Sequence, residues 1–485
     1  MTDSGTSRAF DERIAFERRL LARAAAGRKA ARERPDTIPA SFGQERMWLS
    51  DWLDPSASTE TTVFVIGLRG ALDVAALRGA VTDLTHRHEV LRTVVEPAGG
   101  RLVQRVLPPA DVPLPALDLP PGADALDAFA RGQLLRKFDL AAEPPVSWSL
   151  LRRAADDHHL VLRMHHIAAD GWSEGVLNRD LSLLYRARAT GSRAPLPDMP
   201  IQYADFAIGQ HERQSGAALE RGLSYWRRRL AGAPATVALP FDREPGEHSS
   251  LESGTSRAVL PGAAVDALEA VAAAEGASRY MALLAAFAVT LWRGSGQRDL
   301  VIGSPVAGRE LPETEQLVGV LTNTLPMLVR VVPEESFRHL LRRVREHTLD
   351  DLEHGEVPFQ RLVDAVRPAR VTGRQPLVQV ILQLDNTDFA EPVFDGVEVS
   401  YEQLFAERAA LDLTVSLGRR GADHIAVWKY RSALLDAATV HRLQTRYLDV
   451  VTSVAESPDA PLGPGLFPGV PQDATEPASR GPGTS

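Results

Sequence analysis

The sequence predicts an α+β protein in two lobes. Three observations lead there. The 485 residues exceed what one ordinary core organises and suit two domains of roughly 200 residues each. Stretches of helical periodicity are interspersed with strand-like aliphatic runs in both halves. Proline-rich and polar connections, notably GSRAPLPDMP and LPFDREPGEHSSLESG, punctuate the chain between them.

The elements follow in order. Residues 11–34 form an Ala-, Leu-, Arg- and Glu-rich run that predicts one helix, a solvated linker or a docking element for an acidic partner. RPDTIPA then breaks it with its prolines. A helix around VAALRGAVTDLTHRH precedes the strand-like LRTVVE and RLVQRVL. VSWSLLRR, the polar AADDHH and LVLRMHH read as a hairpin that ends in two histidines. The helix WSEGVLNRDLSLLYRA carries Val176, Leu177, Leu181, Leu184 and Tyr185 at helical spacing. ERGLSYWRRRLAG is a further helix. The second lobe opens with a helix from about Pro261, followed by the apolar helix YMALLAAFAVTLW and the strand DLVIGSPV. PLVQVILQLD, the hairpin LDLTVSL–GRRGAD–HIAVWKYR and a last helix LDAATVHRLQTRYLDVVTSVAE complete it. The expected division is a linker or docking helix at 1–36, lobes at 37–240 and 241–463, and a disordered Pro/Gly/Ser/Thr-rich tail at 464–485.

Composition excludes several classes. With 44% hydrophobic and 24% charged residues the chain has a soluble globular profile. No apolar run approaches the ~20 residues of a membrane span, and MTDSGTSRAFDER lacks the apolar core of a signal peptide. The chain contains no cysteine, so disulfides, thiolate-bound zinc and a thiol nucleophile are out, in keeping with a cytoplasmic address. A net charge of −9 argues against nucleic-acid binding.

The chemistry-bearing stretch is Met164-His165-His166-Ile167-Ala168-Ala169-Asp170-Gly171-Trp172-Ser173. Neighbours on a strand face opposite ways, so one histidine is expected to be structural and the other reactive. An imidazole at a strand end, with an unperturbed pKa near 6.5, suits a general base. Asp170 would orient the loop through a cation or hold an imidazole tautomer, and Gly171 would allow close approach. Paired histidines are more often incidental than catalytic, which is the competing reading. His158 and His159 are expected in the hairpin turn, about 20 Å from His165 at ~3.3 Å per residue, so no metal site is expected. The sequence has no Walker-type phosphate loop, no dinucleotide fingerprint and no G-x-S-x-G elbow. A base without an enzyme nucleophile fits direct transfer of a preactivated acyl group.

His165-His166-x-x-x-Asp170-Gly171 resembles the hallmark of nonribosomal peptide synthetase condensation domains. Other ordered motifs, over about Ser41 to Glu456, are similar to that family. They are Ser41–Trp48 (with Gly43 where Ala is usual), Arg87–Thr93, Tyr203–Ala207, Val301–Arg309, Gly319–Leu325, His354–Phe359 and Arg374–Val380. The resemblance implies two chloramphenicol-acetyltransferase-like lobes in a V, the active site at their junction. It implies acyl or aminoacyl transfer from a carrier-protein phosphopantetheine thioester to an amine or hydroxyl acceptor, as in antibiotic biosynthesis. His166 would be the reactive histidine, as base or as a positioner of the acceptor. His165 and Asp170 would be structural, Asp170 pairing with Arg309 of the other lobe, and Gly171 would line the thioester site. Trp172, Ser304, Asn323 and Gln383 would be tunnel candidates. Leu321-Thr322 and Gly355-Glu356 depart from the usual residues and bear on tunnel shape, and Asp-Gly-Trp-Ser is similar to the subgroup taking an L-configured donor. No bound cofactor, metal, nucleic acid or membrane is implied; the partners would be carrier proteins, and the protein a monomer. Rival readings are a coenzyme A-dependent acyltransferase of the same superfold and a non-catalytic recruitment domain. The chain could be a free-standing enzyme or one domain of a larger synthetase.

Overall fold

The computed structural model describes residues 34–53, 60–120, 124–246, 250–385, 390–420, 423–463 and 466–467. The expected N-terminal helix, Arg34 apart, and nearly all of the expected tail lie outside them.

The chain divides into two units that are not contiguous halves. The first comprises Met1–Ala218, Ala307–Thr322 and Thr387–Ala406; the second comprises Leu219–Val306, Asn323–Asn386 and Glu407–Ser485. Both excursions into the first unit have a packing reason. Strand Val397–Phe405 pairs antiparallel with Thr61–Gly70 from end to end, and Leu317, Val318, Val320 and Leu321 are buried in the first unit's core.

In the first unit a five-stranded sheet runs in the order Val397–Phe405, Thr61–Gly70, Asp157–His165, Val146–Ala154, Ala116–Asp118. All neighbours are antiparallel except the last pair. The sequence explains its sidedness. In the histidine strand, Asp157–His165, alternate residues Leu160, Leu162 and Met164 enter a core shared with the helices Val74–Arg87 and Gly171–Thr190. Val161 enters a smaller core under the helix Ala125–Leu135. Because helices cover both faces, the central strand TTVFVIGL is buried throughout instead of alternating. His158 and His159, expected in a turn, lie on the histidine strand opposite Leu68 and Gly67, and the turn is Ala155-Asp156. Polar AADDHH looked like a loop, but ladder pairing on both sides extends the strand through it.

The second unit has a six-stranded mixed sheet in the order Asn323–Arg330, Asp299–Val306, Val380–Leu384, Leu413–Arg420, Asp423–Arg431, Ser253–Leu260. Helix Arg279–Ser295 is buried on every side from Met281 to Trp292, which is why its sequence is apolar all round. Trp428, Phe287 and Tyr447 meet edge to face beneath it. The edge strand Ser253–Leu260 precedes the helix expected to open this lobe; its GTSRA segment alternates exposed and half-buried residues and carries little hydrophobic signal.

Candidate active site

Asp170 ends the loop after the histidine strand and caps the next helix. Its Oδ1 accepts from the Ser173 backbone N–H (3.1 Å) and from the Ser173 hydroxyl (2.8 Å), a capping box that starts helix Gly171–Thr190. The same carboxylate receives Arg309 through both terminal nitrogens at 2.9 Å. Leu321 N–H (3.0 Å), Thr322 N–H (3.2 Å) and the Thr322 hydroxyl (3.0 Å) complete its shell. Burial alone would raise this carboxyl's pKa, but Arg309, Ser173 and Leu321 outweigh it and hold it below the ordinary carboxylate range. Asp170 and Arg309 therefore sit within one unit, since Ala307–Thr322 packs with the first. Arg309 also lies 5.5 Å from the ring of Trp172, whose indole N–H donates to Glu315 O at 3.0 Å.

Two close approaches hold this segment in place. Gly319, at φ +157°, rests against the Tyr203 ring, where any side chain would collide. The Tyr203 hydroxyl donates to Val320 O at 2.9 Å and accepts from the Ser41 hydroxyl at 2.6 Å; burial pushes this phenol well above its ordinary range. At Gly43, where the family's usual residue is Ala, a Cβ would come 2.7 Å from Val320 O. The departure thus matches the close passage of this segment.

The paired histidines have separate surroundings. His165 is fully buried; its Nδ1 accepts from Ile167 N–H (3.0 Å), so its Nε2 carries the proton and donates to Asp51 at 3.1 Å. His166 is half-buried. Its Nδ1 faces the carbonyl of Ala169 at 3.3 Å, and a carbonyl only accepts, so Nδ1 carries the proton. Nε2 is left with its lone pair, receiving the Thr62 hydroxyl at 3.1 Å. Burial pushes the His166 pKa down; Glu60, the Ala169 carbonyl and Asp170 work against that, while His165 adds to it. The imidazole is thus neutral at neutral pH, with a basic nitrogen that accepts from the Thr62 hydroxyl.

Gly171 is exposed at the first position of the capped helix, and Trp172 is 37% exposed beside it. The other tunnel candidates belong to the second unit, and their polar groups are engaged there. Asn323 donates to Gly355 O (2.9 Å) and Val357 O (2.8 Å) and accepts from Phe359 N–H (3.2 Å). Gln383 donates to the Ser416 hydroxyl at 2.7 Å. Ser304 is buried and hydrogen-bonded to Tyr280. Among the described residues no group of three or more His, Asp or Glu is placed to hold a metal, and no helix is long and apolar enough to cross a membrane. Thr62 and Asp51 carried no local signal as site residues, whereas Ser41 and Tyr203 open two of the family-like motifs; the contacts of all four come from segments remote in sequence.

A family model described as the condensation domain matches residues 34–465. Phosphinothricin tripeptide synthetase PhsC of Streptomyces viridochromogenes is 39% identical over 457 residues, which cover 92% of this chain and 42% of PhsC. The isonitrile lipopeptide synthase of Mycobacterium tuberculosis is 34% identical over 444 residues, covering 88% of this chain and 18% of the relative. The chain thus spans less than half the length of either relative. The crystal structure of the X-domain from teicoplanin biosynthesis superimposes with a TM-score of 0.80 at 28% identity, over 89% of this chain and 98% of that one. A complex of that X-domain with OxyB matches with the same TM-score, over 89% of this chain and 96% of that one, also at 28% identity. The chloramphenicol-acetyltransferase-like α+β fold implied by the motifs is the fold of these structural neighbours.

Proposed function

Since the chain belongs to the condensation-domain family, we propose that it joins a carrier-bound acyl or aminoacyl group to an amine or hydroxyl acceptor. The observation that carries this reading is the tautomer of His166, protonated at Nδ1 by its contact with Ala169 O and basic at Nε2. The acceptor displaces the Thr62 hydroxyl and presents its N–H or O–H to Nε2. As the nucleophile attacks the thioester carbonyl, its proton passes to Nε2, and a carbon–nitrogen or carbon–oxygen bond forms. Collapse of the tetrahedral intermediate breaks the carbon–sulfur bond, and the imidazolium returns the proton to the leaving phosphopantetheine thiolate. The products are an amide or ester and the free thiol, with no ATP consumed and no acyl-enzyme formed. General-base help of this kind supplies roughly 10²–10⁴ in rate. Asp170 and Arg309 hold the loop and the Ala307–Thr322 segment in place and take no part in proton transfer.

Carrier proteins and a small or carrier-bound acceptor are the partners of this reading. Ser304, Asn323 and Gln383 are assigned to shaping the second unit, with Trp172 the exposed candidate for substrate contact. The test is intact-mass spectrometry of an aminoacyl-loaded carrier mixed with this protein and a pool of amines and alcohols. Loss of the acyl group with a matching amide or ester supports condensation and identifies the acceptor class. A second reading, recruitment of a partner without turnover, is favoured by the fold match to an X-domain bound to OxyB. It would be supported by carrier or partner binding with the thioester intact in the presence of every acceptor.

A further inference from the structure

We propose that Asp51 is a positioning residue for His166, acting through His165 to fix the turn and the tautomer that leave His166 Nε2 basic. This rests on the condensation reading for its importance to rate, but not for its geometry.

Asp51 sits in the last turn of helix Phe42–Leu53, whose end is tied by Lys137 Nζ donating to Asp51 O at 3.4 Å. Its Oδ2 lies 3.1 Å from His165 Nε2, while its Oδ1 is buried without a hydrogen-bond partner among the described residues. A carboxylate oxygen desolvated without compensation is costly, and native proteins keep few of them. Among the described residues, the carboxylate's one hydrogen bond is to His165. That ring is seated by Phe138, edge to face at 5.9 Å, and Phe138 itself lies under the Arg163 guanidinium at 3.7 Å.

What the carboxylate enforces is a tautomer. With Asp51 accepting at Nε2, His165 Nδ1 is a bare acceptor and takes the N–H of Ile167. Ile167 is the residue after His166, so one ring holds the backbone on both sides of the reactive histidine. The turn then closes through Ala168 N–H to His165 O (3.0 Å) and Ala169 N–H to His166 O (3.3 Å). This closure brings Ala169 O to His166 Nδ1. Without Asp51, His165 is free to carry its proton on Nδ1, where it opposes the Ile167 N–H donor to donor. The turn opens, Ala169 O withdraws, and His166 populates the tautomer whose Nε2 is protonated and cannot act as base.

The test compares Asp51→Ala with Asp51→Asn in the full chain, folding being checked by circular dichroism. The amide oxygen of Asn still accepts from His165 Nε2. Ring-¹⁵N spectra of His166 report its tautomer with no acyl substrate present, and single-turnover acyl transfer reports rate. We expect Asp51→Ala to mix the His166 tautomers and to lose roughly 10- to 100-fold in rate, as misplaced catalytic groups do. Asp51→Asn should keep the wild-type tautomer and stay within about threefold in rate, because the neutral acceptor preserves the bond. If Asp51→Ala does not fold, Asp51→Ser, whose hydroxyl is too short to span to His165, reads the same quantities. A folded Ala or Ser variant with wild-type tautomer and rate overturns the proposal, as does an Asn variant as damaged as Ala. A protein that transfers no acyl group but shows the expected tautomer change leaves the positioning role standing and removes the condensation reading.

Discussion

Replacing Asp170 with Ala probes the most heavily bonded group of the site. The substitution removes the partner of Arg309, whose side chain is 2% exposed, together with the acceptor of Leu321 and Thr322. Stripping one member from a buried ion pair costs about 3–5 kcal/mol, because the remaining charge stays desolvated. Leaving backbone donors unpaired adds about 1–3 kcal/mol each where water cannot reach them. These costs overlap, so about 4 kcal/mol is the working figure. For a unit of this size that corresponds to a fall of roughly 8–16 °C in melting temperature. The assay is thermal unfolding by circular dichroism of wild type, Asp170→Ala, Arg309→Met and the double variant. The single variants should each melt well below wild type, and the double should be less damaged than the two losses added, since it leaves no lone charge. An Asp170→Ala protein melting within about 2 °C of wild type, or strict additivity in the cycle, would refute the reasoning.

Other outcomes follow from the same geometry. The folded-state pKa of His166 is lowered chiefly by burial, so the acid limb of kcat/KM should fall below pH ~6.5, with activity lost as Nε2 is protonated; a limb above that value contradicts the assignment. His88 is likewise buried and shifted down, with Asp180 opposing. Both histidines are neutral when folded, so the unfolded chain gains protons first as pH falls through ~6.5, and each removes up to about 1.4 kcal/mol of stability per pH unit below it. Urea midpoints at pH 7 and 5 measure this, and His88→Phe should flatten the dependence. Gly43→Ala, which sets a methyl 2.7 Å from Val320 O, should cost about 1–3 kcal/mol in chemical denaturation; an unchanged midpoint would mean the segment yields freely. Asn323→Ala, which frees the backbone of Gly355, Val357 and Phe359, should lower stability by about 2–3 kcal/mol. A raised KM with unchanged melting would instead support Asn323 as a substrate contact.

How far the sequence alone reached depended on locality. The strand ending at His165 and the helix after it were legible because strand-like aliphatic residues and helical spacing lie within one short stretch, whereas the capping role of Asp170 came from the structure. The hairpin turn was misplaced because Asp156, Asp157, His158 and His159 are polar, whereas pairing with Leu68 and Arg152 decides that His158 is strand. Strand Val397–Phe405 carries little hydrophobic signal because four of its nine residues are exposed, and its partner Thr61–Gly70 is far upstream. The association of Ala307–Thr322 with the first unit rests on Gly319 against Tyr203 and on the Asp170 shell, contacts that no periodicity encodes. Asp51 was invisible for the same reason. Its partner His165 lies 114 positions away, and nothing around Asp51 distinguishes it from any acidic residue at a helix end.

The central claim is that Nε2 of His166 accepts the proton of the incoming nucleophile. Single-turnover transfer from an aminoacyl-loaded carrier to an identified acceptor, comparing wild type with His166→Ala, tests it most directly. The account predicts that the variant keeps the wild-type circular dichroism spectrum and carrier binding while the rate falls roughly 10²–10⁴-fold. A folded His166→Ala protein that turns over at the wild-type rate would contradict it.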